Sequence, residues 1–383
     1  MNSTIDSKLI LDASPYGISA RPRNKCLTVR VTGGYLEKGE TITIVFGDTI
    51  QGSPGLKLQT FAESAFEFKV SVDPCATGHF VPLAESLEIA IVPDEPAVWK
   101  AVLPSLRRPG EDFRFGLKAE DAWGNPTPKA GGRFRLVPNM PVEGLPERLD
   151  YPQGQKSVIL KKLKVTHEGV LRIEVLDEAG HSVTESSPMV VKAGERAGFW
   201  GDLHGQSGES IGVGAAKKYF QFARDLAFLD VTSHQANDFQ VNKAFWEYLN
   251  QLTQDFQEDG RFVTFPGYEW SGNTGVGGDR NIFFKTEGRP MRRSSHALLT
   301  DRSDISTDAP DAQTLFKDLG ARIRVIWSGA EYRGRRRETN WRGQARFKAA
   351  SIRHWQGFNT WNQERWIPGL EQSDLSFQCR AGE

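Results

Sequence analysis

Three residues stand where short apolar runs give way to polar ones: His204 after GFWGDL, His234 after FLDVTS, and Glu269 after FVTFPGY. Imidazole nitrogen and carboxylate oxygen together suit Zn, Mn or Fe, and suit Mg or Ca less well. In a parallel α/β sheet the carboxyl ends of neighbouring strands converge on one face, where ligands and catalytic groups gather. Side chains far apart in sequence can therefore meet in one pocket. A metal site with His204, His234 and Glu269 as ligands is one reading, with His204 and Glu269 also the catalytic groups. The other reading is that each is a loop residue satisfied by its neighbours.

Other polar residues lie close to these three. Gln206 shares strand parity with His204; it is a poor metal ligand, but it can hold a water or orient a substrate. Asp202 has the same parity and reads as a turn acceptor or as support for the ligands. The glycine-rich stretch SGNTGVGGDRN lacks the Lys-Ser/Thr ending of a phosphate-cradling loop, and so reads as a long flexible loop. Its place beside Glu269 also allows Arg280 and Asn281 to touch a substrate. His296, in MRRSSHALL with Arg292 and Arg293, is a further candidate for an anionic substrate or a solvated residue. The run EYRGRRRETNWRG (331–343) has the look of a nucleic-acid patch, but its glutamates favour a solvated turn.

The elements that must position these residues come in two rhythms. Before residue 195 the chain reads as strands: Leu27–Thr32, Thr41–Phe46, 66–72, 87–92, 113–117, 134–137, 158–165, 170–176 and 183–191. Turns containing Gly, Pro and Asp separate them, and the AEDAWGNPTP turn has an immunoglobulin-like look, so this half reads as one or two antiparallel β-sandwiches. From residue 196 apolar runs at 198–203, 228–232 and 262–268 alternate with helical periodicity in 215–227 and 241–256. Such alternation predicts parallel strands with helical crossovers. A short helix near 312–319 follows, then strand and turn again. The predicted organisation is a lead over 1–24, a β-sandwich region over 25–195 (modules 25–97 and 98–195), a partial α/β domain over 196–320, and a β-rich segment over 321–383.

Composition narrows the function classes. Lys plus Arg and Asp plus Glu are both 48 in 383 residues, so no global charge draws nucleic acid or an anionic membrane. Three scattered cysteines, Cys26, Cys75 and Cys379, form neither a disulfide framework nor a thiolate zinc site. No apolar run reaches the roughly 20 residues of a membrane helix, and no secretory leader is visible, so a cytoplasmic setting is expected. The expected partner is a small-molecule substrate, with neither nucleic acid nor membrane.

The strings GFWGDLHGQS, LAFLDVTSHQANDF and FPGYEWSGNTGVGGDRNIFF resemble domain-of-unknown-function family 3604, related to the PHP (polymerase and histidinol phosphatase) metal hydrolases. The resemblance runs from about residue 25 to the end. It implies a distorted barrel whose strand ends bind two or three metal ions for phosphoester hydrolysis. His204 matches the first His of the family's His-x-His pair, with Gln206 in the second place; His234 matches the His after the second strand, and Glu269 the bridging acid, while a further, later His has no match. The closing Asp-x-His motif finds no match. The fold class expected is therefore an immunoglobulin-like β-sandwich region followed by an incomplete PHP-like α/β (TIM-type) barrel. Only three strand–helix units are legible where a closed barrel needs about eight. The expected function is metal-dependent, phosphoesterase-like hydrolysis with one or more Zn, Mn or Fe ions, weakened or lost where the barrel is incomplete. A non-catalytic ligand- or carbohydrate-binding β-sandwich protein is the alternative.

Overall fold

The computed structural model describes residues 27–320, apart from 33, 51, 53, 57, 69, 86 and 273–277, together with the strands Asn2–Ser3, Lys8–Ala13 and Leu375–Arg380. The chain divides into two compact units, one of Met1–Thr60 with Phe347–Glu383 and one of Phe61–Arg346. In the first, Thr41–Phe46 is the centre of a three-stranded antiparallel sheet between Asn2–Ser3 and Leu375–Arg380. Lys8–Ala13 pairs antiparallel with Leu27–Thr32. The basic run at 331–343 lies outside the described residues.

The second unit holds two apolar cores. The earlier one is enclosed by small sheets. Phe113–Glu120 is flanked by Val98–Val102 and Val158–Leu163, and Gly132–Pro138 by Arg148–Tyr151 and Ile173–Leu176. Alternation explains the arrangement: Phe134 and Leu136 point in while Arg133 and Arg135 point out. Phe115, Leu117, Leu171, Ile173 and Met189 meet in the interior with almost no exposure. The turn after Phe113–Glu120 is built by Asp121, whose Oδ1 accepts the N–H groups of Trp123 and Asn125 at 2.9 Å each. Burial pushes the Asp121 carboxyl up, but these bonds and the Asn125 side chain outweigh it and hold it below the usual range.

The later core belongs to the residues that carry the candidate chemistry. Gly201–Gly205, Val231–His234 and Val263–Thr264 form a parallel sheet in that order. The crossovers are helical. Helix α1 (Ala216–Gln221) continues into a wider turn over Phe222–Leu226, and α2 (Lys243–Phe256) follows the second strand. In α2 the Asn242 side chain caps the N–H of Phe245 at 2.8 Å. Trp246, Leu249, Leu252 and Phe256 recur every three or four residues and are buried together, each worth about 1.5–3 kcal/mol. Helix α3 (Ala312–Leu319) is capped in the same way by Asp311 and buries Leu315.

The two cores are joined by buried polar contacts. Arg114 donates to the carbonyls of Phe228, Leu229 and Arg261 at 2.6–3.0 Å and pairs with Asp230 at 2.9 Å. Gly116 faces the Phe228 ring, and a Cβ there would come within 2.9 Å of three ring carbons.

The expected TIM-type barrel is corrected by this architecture. Among the described residues strand outweighs helix, with three short α-helices, and the parallel sheet ends at its third strand. The run 262–268, read as one strand, breaks at Pro266, which has no N–H for a ladder. Beyond it Gly267–Trp270 pairs antiparallel with Arg280–Phe283. The strand that carries Glu269 is thus one arm of a hairpin, and not a barrel stave. Among the described residues no helix is long and apolar enough to cross a membrane.

Candidate functional site

Glu269 and Asn281 face each other across that hairpin as register partners. The Asn237–Glu269 bridge ties the hairpin to the end of the Val231–His234 strand, with Glu269 N–H donating to Ala236 O at 2.9 Å. Glu269 is buried, and its two oxygens have different tasks. Oε2 accepts from Gln206 Nε2 at 3.0 Å and Asn237 Nδ2 at 2.9 Å. Oε1 faces His204 Nε2 at 3.9 Å. Burial pushes the Glu269 carboxyl above its ordinary range; His204 opposes this, Asp279 adds to it, and the Asn237 bond opposes it.

His204 is reached from solvent, its side chain being 48% exposed. The Asn281 amide lies 2.6 Å from Nδ1 and also donates to Leu203 O at 3.2 Å, so the ring is held from behind with Nε2 toward Glu269. Gln206 is anchored by a hydrogen bond from the Ser210 hydroxyl to its Oε1.

His234 does not join this pair. Its Nε2 lies 2.8 Å from Ser207 Oγ, and its ring stands edge-on to Tyr219 and Phe245, at 5.5 and 6.2 Å between centroids. It is 2% exposed, its Nδ1 has no hydrogen-bond partner, and burial pulls its pKa down to about 3. His296 is elsewhere too. Its Nδ1 is 2.7 Å from Asp308 Oδ2 and its Nε2 3.0 Å from Asp304 Oδ1, and the buried Arg293 also pairs with Asp304. Arg280 turns onto the carbonyls of Gly278 and Asp279 at 3.1 and 2.8 Å. The structure therefore gathers His204, Gln206, Glu269 and Asn281, and leaves His234, His296 and Arg280 in surroundings of their own.

Two residues of this region had no sequence reading. Asn237 supports Glu269 directly. Asp238, fully buried, accepts the N–H of Phe239, of Ser271 and of Ser294, tying the strand end to both later segments. Burial pushes its carboxyl up to about 6 against those bonds. The only signal for either was the polar string SHQAND after an apolar run.

The fit to a metal ion can be tested on donors. A ligand bond of roughly 2.0–2.2 Å to each of two atoms 3.9 Å apart leaves room for one ion between them. The buried Asn281 Oδ1 has no hydrogen-bond partner. Half a turn of that amide, which gives up the Nδ2 bond to Leu203 O, brings Oδ1 to Nδ1, where it accepts the ring proton and frees the Nε2 lone pair for an ion. His204 and Glu269 thus fit as a pair of ligands. Among the described residues no three His, Cys, Asp or Glu side chains form a metal-holding group, so water would fill the remaining positions.

Comparison with known proteins adds a family and relatives. An uncharacterized protein of Chlamydia pneumoniae is 26% identical over 275 residues, covering 66% of this chain and 42% of that protein. One from Chlamydia trachomatis is 26% identical over 266 residues, with the same shares of 66% and 42%. The chain thus spans about two fifths of the length of the curated relatives it matches. Residues 200–321, which hold the parallel sheet, the hairpin and the His204–Glu269 pair, match the family described as protein of unknown function (DUF3604).

Proposed function

We propose that residues 200–283 carry a metal-dependent hydrolase site in which His204 and Glu269 hold a divalent ion, Zn, Mn or Fe. The observation that supports this best is the divided carboxylate of Glu269. One oxygen is fixed by two amides, and the other is left facing an accessible imidazole nitrogen. Orientation of ligands by amides and carbonyls behind them is how proteins tune metal sites. When bound, the ion would polarise a substrate oxygen and lower the pKa of water. The chain's own part is to exclude solvent from the Oε2 side of Glu269, to hold His204 at the opening, and to offer Gln206 as a hydrogen-bond donor.

Kinship with the PHP hydrolases, implied by the motif resemblance, makes a phosphoester the substrate to try first, in a cytoplasmic setting. Turnover is expected to be slow, because a single ion loses the clamp that two ions place on attacking and leaving oxygens. The assay is hydrolysis of p-nitrophenyl phosphate and its diester by the whole chain with Mn, Zn or Fe supplied. Metal-dependent release that falls at least about 100-fold in both H204A and E269Q supports the site. Release that survives both substitutions, or none with any of the three metals, contradicts it.

A further inference from the structure

The Gly201–Gly205 strand departs from simple alternation at the point where it delivers His204. Asp202 pairs with Thr232 and Gly205 with His234, so three steps on one strand face two steps on its neighbour. One residue is therefore extra, which is the definition of a β-bulge, a device that re-aims a side chain. The consequences are visible on both sides. Asp202 points toward α1, where its Oδ2 accepts from the Tyr219 hydroxyl at 3.1 Å, and that hydroxyl lies 2.5 Å from Thr232 Oγ1. Gly205 faces the same hydroxyl, and a Cβ there would stand 2.0 Å from it. Asp202 and Gly205 thus share a face although they are three positions apart, an odd step that alternation would put on opposite faces, and His204 between them turns the other way, to Asn281 and Glu269.

What holds the bulge is Asp202 itself. Its Oδ1 accepts the backbone N–H of His204 at 3.0 Å, a local side-chain bond that takes the place of a ladder bond. Thr232 Oγ1 donates to Asp202 O at 3.0 Å and fixes the same residue from the neighbouring strand.

We propose that Asp202, held by Tyr219 and Thr232, is a positioning residue that turns His204 out of the strand alternation and onto Glu269. This rests on the reading of His204 and Glu269 as the ion-holding pair, and it adds what sets their approach. Asp202 acts through the His204 main chain and touches no ligand. The arrangement also explains the glycine after His204: any side chain at 205 would displace Tyr219 and with it the anchor of Asp202.

The test uses the whole chain and two readouts. Zinc affinity is measured by calorimetric titration. The ring state of His204 is measured without metal by long-range proton–nitrogen correlation, with H204A identifying the signal. D202A is expected to weaken zinc binding at least about tenfold, in the range seen for residues behind metal ligands. It should also replace the single ring signature of His204 with an averaged one. D202N keeps an oxygen for the His204 N–H and reverses the Tyr219 contact, its amide donating to the hydroxyl oxygen, and should restore both readouts to within about threefold of the unaltered chain; a structural role alone would not separate these two variants so. Y219F, which removes one hydroxyl, should give a partial effect and serves in place of D202A if that variant does not fold. An unaltered His204 signature in D202A, or in Y219F where D202A does not fold, overturns the proposal. If the unaltered chain binds no zinc, the ion-holding pair is refuted, and the His204 signature alone still decides whether Asp202 sets the ring.

Discussion

His234 and Asp238 are four residues apart, both buried, and shifted by burial with opposite consequences. His234 is held neutral with its pKa near 3, below the ordinary 6.5, so the unfolded chain takes up a proton first as pH falls. Its contribution is complete above about pH 6.5 and is lost toward pH 3, several kcal/mol in all. Asp238 is raised to about 6 from 3.8, so the folded chain keeps its proton longer, and stability falls as pH rises through that window. The loss is about 3 kcal/mol and is complete above about pH 6. Between pH 4 and 6 the two slopes oppose each other. D238N should therefore gain stability more steeply with rising pH than the unaltered chain does, and H234Q should lose it. Urea unfolding of the three proteins across pH 4–7 measures this, and parallel curves would contradict the account. The sequence pointed to His234 as a strand-end residue, but nothing local revealed that a bulge in the neighbouring strand would part it from His204.

At the scale of elements, much was legible because period and length agree. The strands Leu27–Thr32 and Thr41–Phe46 have the boundaries their alternation predicts, and α2 fills the stretch 241–256 marked by its periodicity to within two residues. Breaks inside apolar runs were not legible. Arg172 divides 170–176 into two strands in different sheets, and Pro266 divides 262–268. Both look continuous by hydropathy, and which sheet takes each half is decided by distant partners. The parallel order of the first three strands followed from their helical crossovers, whereas the hairpin at Glu269 hid behind a glycine-rich loop. The contact between cores had no sequence signal, because Arg114 and Asp230 are separated by strands that read as independent. R114A leaves Asp230 buried without its 2.9 Å partner and three carbonyls without their donor. It is expected to cost about 3 kcal/mol in urea unfolding. Adding D230N should recover part of that; a cost under about 1 kcal/mol would show that the contact is dispensable.

At the scale of the molecule, the 200–321 segment is what matches the family model, and the sheets over 98–191 are built on a core of their own. Binding of an ion to the folded chain alone must stabilise it by mass action. Zinc at 100 times its dissociation constant should add about 2.7 kcal/mol, seen as a rise in Tm that E269Q cuts to about half or less. The most direct measurement is calorimetric titration of zinc into the unaltered chain, H204A and E269Q at one pH. One ion per chain, with affinity lowered at least about tenfold in each variant, is the result expected from a pair of ligands. Undiminished binding in both variants, or no binding by the unaltered chain, would contradict a metal site at His204 and Glu269.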